Sequence, residues 1–462
     1  MHRAATAGTP RRTISGARKE AKQDVETTLT WNFETDPEFQ RELDWMDTFV
    51  REEVQPIDHL IASSYDTKDP LRNRLIKPLQ EVVKARKLWA CHLGPELGGQ
   101  GYGQVKLALM NEILGRSGAA PVVFGCQAPD SGNAEILAHF GTPEQKARYL
   151  QPLLNNDIVS CYSMTEPQGG SDPKVFTTTA VRDGDEWVIN GEKWFSSHAK
   201  YAEFLIVMVV TDPDEPRPYH RHSMFIVPRE TPGVEIIRGV GYGNHDKSHA
   251  YMRYTNVRVP ADHLLGEQGG GFAAAQTRLG GGRIHHAMRS IATAKKALDH
   301  LCQRAASRFT QGERLADKQM VQEKIADSWA ELEMFRLLVL QTAWKIDKYN
   351  DYLKVRRDIA SVKAQLPKML REITSRALFV HGALGLSTEM PFAQWVLDSF
   401  HMGLADGVSE VHKITAARQI MRDYKPSETL FPDYHLPAVK ERARQKYAHV
   451  LAEFEAESMA AQ

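Results

Sequence analysis

Cysteine is scarce in this chain, and its placement excludes several classes of protein. The 462 residues include four cysteines, which stand far apart at Cys91, Cys126, Cys161 and Cys302. No two of them have the short spacing of a redox pair or of a zinc site. Because a disulfide scaffold or a cysteine-ligated metal centre needs such pairs, the sequence predicts reduced thiols in an intracellular protein.

An excess of one charge and a long apolar run are also missing. The 58 basic and 58 acidic side chains cancel, so the overall charge attracts neither nucleic acid nor an anionic membrane. No stretch approaches the roughly 20 apolar residues that a membrane helix requires. We therefore expect no nucleic-acid partner and no membrane span. The hydrophobic share of 42% is typical of a globular enzyme, and the length predicts two or three domains.

Acidic residues are absent from the beginning of the chain until Glu20, whereas four arginines precede that position. This composition predicts a disordered tail over residues 1–30, with a transit peptide or an over-long start as alternatives. The stretch has little of the amphipathic apolar content of a transit peptide. We therefore expect a cytoplasmic protein, with the mitochondrial matrix as the alternative location.

The spacing of apolar residues changes twice along the rest of the chain. It follows the helical period over residues 31–158, alternates with period 2 over residues 159–271, and is helical again over residues 272–425. Residues 426–462 form an extension with one amphipathic helix over residues 437–455. This order predicts an α+β fold, mostly α, with an N-terminal helical domain, a middle β-barrel or sandwich domain and a C-terminal four-helix bundle.

Turn residues delimit the expected strands of the middle domain. Asp183-Gly184 and Asn190-Gly191 are typical of tight turns between paired strands. The expected strands include residues 186–189, 204–210, 223–227, 234–237 and 251–259. The expected C-terminal helices are residues 291–306, 318–349, 352–379 and 409–421, and Pro367 is expected to kink the third of them.

Residues 162–172 and 193–197 carry the clearest signal of a binding site. The first segment presents hydroxyl side chains around the Gly169-Gly170 pair at the end of an expected strand. The second segment, which follows two β segments, presents two serines beside two aromatic residues. Paired hydroxyls and glycine-exposed backbone amides suit a flat heteroaromatic ring with hydrogen-bonding edges. A Gly-rich turn alone is weak evidence, but its position in a β block between two helical regions makes it specific.

Several separated blocks, in this order, resemble the acyl-CoA dehydrogenase family over residues 31–425. The resemblance is closest to the branch that contains the dehydrogenase domains of human family members 10 and 11. The blocks that carry it are Ala128-Pro129-Asp130-Ser131-Gly132-Asn133, Lys193-Trp194-Phe195-Ser196-Ser197, Gly282-Arg283-Ile284-His285-His286 and Leu404-Ala405-Asp406-Gly407.

The resemblance implies an FAD cofactor and a homodimer or homotetramer. Arg308 and Gln311 correspond to a helix end that reaches the FAD of a neighbouring subunit in the family, and Gln319 lies near them. Gly382 and Gly385 correspond to a turn beside the pyrophosphate, where free amides of a helix N-terminus bind anions. The FAD contacts implied by the resemblance are Tyr162, Met164, Thr165, Ser171, Phe195, Ser196, Ser197, Arg308, Gln311, Gln319, Gly382, Gly385, Val408, Ser409 and Glu410.

The resemblance also implies that Asp406 is the catalytic base, at a position where most of the family has Glu. A carboxylate there removes the α-proton of an acyl-CoA thioester while the β-hydride passes to the flavin. The backbone amide of Asp406 and a flavin ribityl hydroxyl would hold the thioester oxygen. Ser171, Arg283 and Gly407 are the implied substrate contacts. Gly280 departs from the acidic residue usual three positions before the arginine, which bears on the substrate.

The leading hypothesis is an acyl-CoA dehydrogenase that passes its electrons to an electron-transfer flavoprotein. A flavin oxidase of a small carbon acid, similar to nitroalkane oxidase, remains an alternative, because such enzymes also use an Asp base. Ser171 and Arg283 favour CoA. A flavin-stabilised DNA-binding protein on the same fold is the third hypothesis, and the zero net charge weighs against it. The adjacent His285 and His286 point to different sides of a helix and predict packing or polar contacts rather than a metal site.

Overall fold

The structure is a computed structural model that describes residues 33–243 and 248–461. The predicted tail, residues 1–30, lies outside the described residues, and the surroundings of Gly280 within its helix are not described. The chain folds into an N-terminal helical region, a middle sheet and a C-terminal helical region. This arrangement confirms the predicted fold class.

Short helices build the N-terminal region. The first begins after Asp36, whose carboxylate accepts a hydrogen bond from the Phe39 amide at 2.8 Å, and Pro37 occupies the first helical position. Its apolar side chains, Met46 among them, are buried against the helices that follow. The helices are α1 (Pro37–Phe49), α2 (Pro70–Ala85), α3 (Gln104–Leu114), α4 (Ala120–Val123), α5 (Asp130–Phe140), α6 (Pro143–Gln145) and α7 (Gln151–Leu154).

The middle region is a mixed sheet, and its two longest strands alternate largely between buried and more exposed side chains. The strands lie side by side in the order β1-β4-β2-β3-β7-β6, and β5 pairs with β4 outside this order. β1 runs parallel to β4. β4 is buried on both faces because helices and loops cover it. The strands are β1 (Ser160–Ser163), β2 (Thr179–Asp183), β3 (Glu186–Ser197), β4 (Phe204–Val210), β5 (His222–Pro228), β6 (Val234–Gly239) and β7 (His249–Pro260).

The two predicted turns differ in outcome. Asp183-Gly184 is a hairpin turn between β2 and β3, with Gly184 at φ +62°, as predicted. Asn190-Gly191 is not a turn, and that prediction is wrong: β3 continues through it and stays paired with β7, with a shift of register at this point. Gly191 has φ +142°, and a Cβ there would lie 2.6 Å from the hydroxyl of Thr178. The glycine therefore permits a β-bulge and close packing.

Long helices pack together in the C-terminal region. α8, α9 and α10 share a core in which Ile291, Val339 and Leu366 are fully buried. The prediction for residues 409–421 is confirmed, whereas the helix expected from residue 352 begins at Arg356 and runs through Pro367. The elements are α8 (Gly271–Ser307), β8 (Phe309–Thr310), β9 (Glu313–Arg314), α9 (Gln319–Tyr349), α10 (Arg356–His381), α11 (Ala383–Leu386), α12 (Phe392–Leu404) and α13 (Ser409–Met421).

The extension beyond α13 contains two helices where the sequence predicted one. They are α14 (Leu436–Lys446) and α15 (Ala448–Ala460), and Tyr447 separates them with φ −109° and ψ 21°. Among the residues that the structure describes, none of the helices combines the length and the apolar character that a membrane crossing requires.

Candidate active site

A buried ion pair holds the loop that follows β1. The Lys193 ammonium lies 2.8 Å from the Glu166 carboxylate, and both side chains are almost completely buried. Lys193 also donates to the carbonyl of Met164 at 2.8 Å, and the Trp194 amide donates to the carbonyl of Thr165 at 2.7 Å. The loop that carries the predicted hydroxyl groups is therefore held against β3 by an ion pair and by a backbone hydrogen bond.

Glu166 remains ionised despite its burial. Burial alone would raise the pKa of its carboxyl group, but the Lys193 charge and the amides of Thr177 and Thr178 outweigh that effect and lower the pKa to about 2. Sequence reasoning gave no role to Glu166 or Lys193. Both lie inside the two informative segments, which is the signal that could have suggested a link between them.

A β-bulge presents Phe195 at the surface. The register of β3 against β7 shifts between Lys193 and Ser196, and Phe195 adopts φ +54° with 40% of its surface exposed. Bulges of this kind redirect side chains beside functional sites. Ser197 follows with its hydroxyl 2.9 Å from Nδ1 of His249. An exposed ring and a hydroxyl thus stand together, as a contact surface for a flat heterocycle requires.

Ser196 lies on the buried side of β3. Its side chain is fully buried, and its hydroxyl shares a hydrogen bond of 2.8 Å with Ser163, which also bonds to the Tyr254 hydroxyl at 2.9 Å. Successive residues of a strand face opposite sides, so Ser196 faces the interior of the sheet. Its side chain is thus occupied within the sheet, and the expected contact of Ser196 with the cofactor stays a prediction.

Neighbouring aromatic rings connect this surface to the C-terminal helices. The ring centroids of Phe195 and His249 are 5.3 Å apart, and those of His249 and His401 are 5.6 Å apart. Tyr242 stacks on His401 at 5.0 Å. Because His401 lies on α12, one turn before its end, the stack brings the surface around Phe195 close to the turn that contains Asp406.

The turn between α12 and α13 has an unusual backbone. Asp406 has φ +56° and Gly407 has φ +98°, so two successive residues lie in the left-handed region. A Cβ at position 407 would lie 2.8 Å from Nε2 of His412, which explains the glycine. Ser409 closes the turn by donating to the carbonyl of Gly403 at 3.3 Å.

His412 holds the backbone of Asp406. Its Nε2 lies 3.2 Å from the carbonyl oxygen of Asp406. Because a carbonyl can only accept, this nitrogen carries the proton and donates it. Burial lowers the pKa of His412 to about 4, so the ring is neutral near pH 7. Lys363 donates to the carbonyl of Met402 from α10 and supports the preceding turn of α12.

Basic side chains surround the carboxylate of Asp406. Nε2 of His286 lies 3.7 Å from Oδ2 of Asp406, and both side chains are about a quarter to a third exposed. Burial lowers the pKa of Arg283 and lowers that of Lys363 to about 8, while the charge of Asp406 opposes both shifts. Asp406 therefore interacts electrostatically with both of these basic side chains.

Arg283 has a polar atom available for a ligand. Within the described residues, its Nε is buried and has no hydrogen-bond partner. A buried donor without a partner costs free energy, so such an atom beside a carboxylate indicates a position where a ligand or water completes the bonding. The predicted substrate contact at Arg283 is compatible with this placement.

His285 and His92 belong to a second group of buried polar side chains, which sequence reasoning missed. On α8, burial and the charges of Arg289 and His92 lower the pKa of His285 well below its ordinary value. Burial lowers the pKa of His92 to about 3, so this ring is also neutral. In the described part of the chain, both nitrogens of His92 and Nε2 of His285 are buried without a partner. No local motif marks His92 in the sequence.

The remaining predicted contacts fall into two groups. At the end of β1, Tyr162 donates to the sulfur of Met164 at 3.5 Å, and at the turn before α13 Val408 and Ser409 are partly buried. Gly385 is buried, and a Cβ there would lie 2.3 Å from the carbonyl of Leu378, so packing alone requires this glycine. The other group consists of residues that are exposed, and its members are Ser171, Arg308, Gln311, Gln319, Gly382 and Glu410.

Comparison with known proteins agrees with this geometry. Models of the N-terminal, middle and C-terminal domains of acyl-CoA dehydrogenase match residues 36–157, 161–257 and 269–421. Acyl-CoA dehydrogenase family member 11 of Gallus gallus is 40% identical over 81% of this chain and 49% of its own length. The probable acyl-CoA dehydrogenase FadE2 of Mycobacterium tuberculosis is 40% identical over 86% of this chain and 94% of its own length.

A solved structure extends the agreement to three dimensions. A chain named as an acyl-CoA dehydrogenase of Mycobacterium abscessus has a TM-score of 0.78 and 36% identity, and the match covers 85% of this chain and all of that one. This chain spans about half the length of the family member 11 relatives that it matches. The predicted resemblance to the branch of members 10 and 11 is confirmed, and the family match supports an FAD cofactor. The chain belongs to the acyl-CoA dehydrogenase family.

Proposed function

We propose that this chain binds FAD and oxidises an acyl-CoA thioester to the trans-2-enoyl-CoA, with an electron-transfer flavoprotein as the electron acceptor. The observation that carries the proposal is the position of Asp406. Its carboxylate stands on a turn locked by His412 and Gly407 and is surrounded by Arg283, His286 and Lys363. Such an arrangement supplies a charged base at a defined position, which abstraction of an α-proton requires.

Each residue has a separate task in this reaction. Asp406 accepts the proton from the α-carbon, and the electron pair of that bond forms the double bond as the β-hydride leaves. FAD supplies the acceptor for the hydride. The backbone amide of Asp406 would hold the thioester oxygen, and the left-handed backbone at residues 406 and 407 sets the direction of that amide. Arg283 keeps positive charge beside the carboxylate.

The residues present also fit the cofactor. Phe195 offers an exposed ring, and Ser197 and Thr165 are partly exposed hydroxyl residues close to it along β3 and the β1 loop. The ion pair between Glu166 and Lys193 makes this surface rigid before a ligand binds. A preformed surface loses less conformational entropy on binding, which favours tight retention of a flavin.

We propose a homodimer or homotetramer as the active form. Arg308 and Gln311 are exposed at the hairpin that follows α8, and Gln319 is exposed at the start of α9. Their exposure is compatible with contact to a cofactor in a second subunit, which a symmetric oligomer would repeat in both directions.

The test is anaerobic bleaching of the purified flavoprotein by a panel of acyl-CoA thioesters. We expect about one FAD per chain, loss of the flavin absorbance near 450 nm with at least one straight or branched thioester, and faster reoxidation by an electron-transfer flavoprotein than by oxygen. Colourless protein that gains no absorbance with added FAD would refute the cofactor assignment. Bleaching by nitroalkanes with fast peroxide formation and no response to any thioester would establish the oxidase alternative.

A further inference from the structure

The C-terminal arm, residues 436–460, presents an apolar surface that packs against no other part of the described chain. The arm comprises α14 and α15 and lies beyond residue 421, where the match to the C-terminal domain model ends. Neither helix has a buried residue, and every residue of α15 is exposed. Leu436, Phe454 and Met459 expose 67%, 66% and 81% of their surfaces. A helix of this composition needs a packing partner, because isolated helices of its length are marginal in water.

The apolar residues of the arm form a stripe on one side. Leu436, Val439, Ala443, Tyr447, Val450 and Phe454 follow one another at intervals of three or four. The stripe crosses the bend, since Tyr447 donates to Ala443 and Leu451 donates to Tyr447, each at 3.0 Å. Intervals of three and four place side chains on a narrow seam, and such a seam is typical of a helix that packs lengthwise against another helix.

Charge divides the arm into two halves of opposite sign. α14 has four basic residues and one acidic residue, a net charge of +3, whereas α15 has three glutamates and neither lysine nor arginine, a net charge of −3. Because every residue of α15 is exposed, α15 does not fold back onto α14 of its own chain. The two halves therefore match each other in charge but are not paired within the chain.

We propose that the C-terminal arm pairs antiparallel with the C-terminal arm of a second copy of this chain. A two-fold axis near residue 449 places the basic half of each arm against the acidic half of the other and makes the apolar stripes face each other. A parallel pair would set like charges side by side, which the charge pattern disfavours. The acidic half would be repelled by an anionic membrane, so the pattern favours a second copy over a lipid surface.

Single cysteines in the full-length flavoprotein test the pairing and its direction. Position 450 lies next to the proposed axis, so Val450→Cys should form a disulfide between two copies on mild oxidation. Position 439 lies opposite position 459 of the other copy. Val439→Cys alone should therefore form no disulfide between copies, whereas the double variant Val439→Cys with Met459→Cys should form one. The wild-type protein is the control for disulfides formed by its own four cysteines, three of which are buried and one partly buried. Equal cross-linking by Val450→Cys and Val439→Cys, or none by Val450→Cys, overturns the proposal.

Charge reversal tests whether the opposite halves recognise each other. In the Val450→Cys background, the triple change Arg442→Glu, Arg444→Glu and Lys446→Glu should lower the rate of cross-linking roughly tenfold at low salt. Adding Glu453→Lys, Glu455→Lys and Glu457→Lys exchanges the two signs and should restore the rate. A rate that is insensitive to the first change, or that the second does not restore, contradicts the pairing. If the full-length protein sediments with anionic vesicles and forms no cross-link, the arm binds a membrane surface instead of a second copy.

Discussion

Nε2 of His286 lies 3.7 Å from Oδ2 of Asp406, and this contact joins α8 to the turn that precedes α13. The same helix carries Arg283 one turn earlier, so one rigid element places two basic groups around the carboxylate. His412 holds the opposite, backbone side of Asp406 through its carbonyl. The candidate base is thus fixed at both its side chain and its main chain.

Asp406→Asn should abolish reduction of the flavin by acyl-CoA while the fold and the bound FAD persist. The amide has almost the shape of the carboxylate, so the turn and its backbone amide should survive, but no proton acceptor remains. Loss of a positioned base typically costs about 10²–10⁴-fold in rate. Rapid-mixing measurement of flavin bleaching is the direct assay. Near-normal bleaching would show that another group is the base.

Asp406→Glu examines how closely the backbone approaches the substrate. The side chain becomes one methylene longer on a backbone that is fixed at φ +56°. If the turn is placed for Asp, the longer side chain should crowd the α-carbon and reduce the rate of bleaching. Full activity would indicate that Asp is merely tolerated. Retention of FAD and an unchanged thermal unfolding midpoint serve as the control for folding.

His286→Leu should slow flavin reduction by about two- to fivefold and leave FAD retention unchanged. The expectation follows from the 3.7 Å separation and the partial exposure, which correspond to a polar contact contributing roughly 1 kcal/mol or less. His286→Gln, which can still donate a hydrogen bond, should recover part of the loss. A defect as large as that of Asp406→Asn would instead give His286 a direct part in proton transfer.

The free energy of unfolding should fall as the pH decreases from 6.5 towards 4. Burial lowers the pKa of His412 from its ordinary 6.5 to about 4, so between these values the unfolded chain binds a proton that the folded chain does not. His412 alone should contribute a loss of about 3 kcal/mol at pH 4. His412→Gln retains a donor for Asp406 but does not titrate. Urea unfolding of both proteins should therefore show a shallower pH dependence for the variant, and identical slopes would contradict the assignment.

Removing one partner of the Glu166–Lys193 pair should destabilise the protein strongly. Glu166→Gln leaves a buried ammonium without its counter-charge, which typically costs about 3–5 kcal/mol. Replacing both residues, as Glu166→Leu with Lys193→Met, should recover most of the loss. Asp183→Asn breaks an exposed pair with Arg258 and should cost at most about 1 kcal/mol. Equal effects at the two sites in urea unfolding would show that burial does not decide the strength of this pair.

Several parts of the site could be predicted because their signals are local or recur across the family. The hairpin turn at Asp183-Gly184, the helix at residues 409–421 and the position of Asp406 belong to short blocks. Asn190-Gly191 shows the limit of such signals. The pair favours a turn by itself, but β3 gains hydrogen bonds by pairing with β7 along most of its length, and the glycine is accommodated as a bulge.

The sequence by itself determined the order of helical and β regions, the mostly α fold class and membership of a family with a carboxylate base. Only the tertiary structure decided that Ser196 faces the sheet interior, that Glu166 pairs with Lys193, and that His286 and His412 flank Asp406. The reason is the range of the forces. Periodicity and turn propensity act over a few neighbouring residues, whereas the direction of a side chain depends on strand register and on packing between segments far apart in the chain.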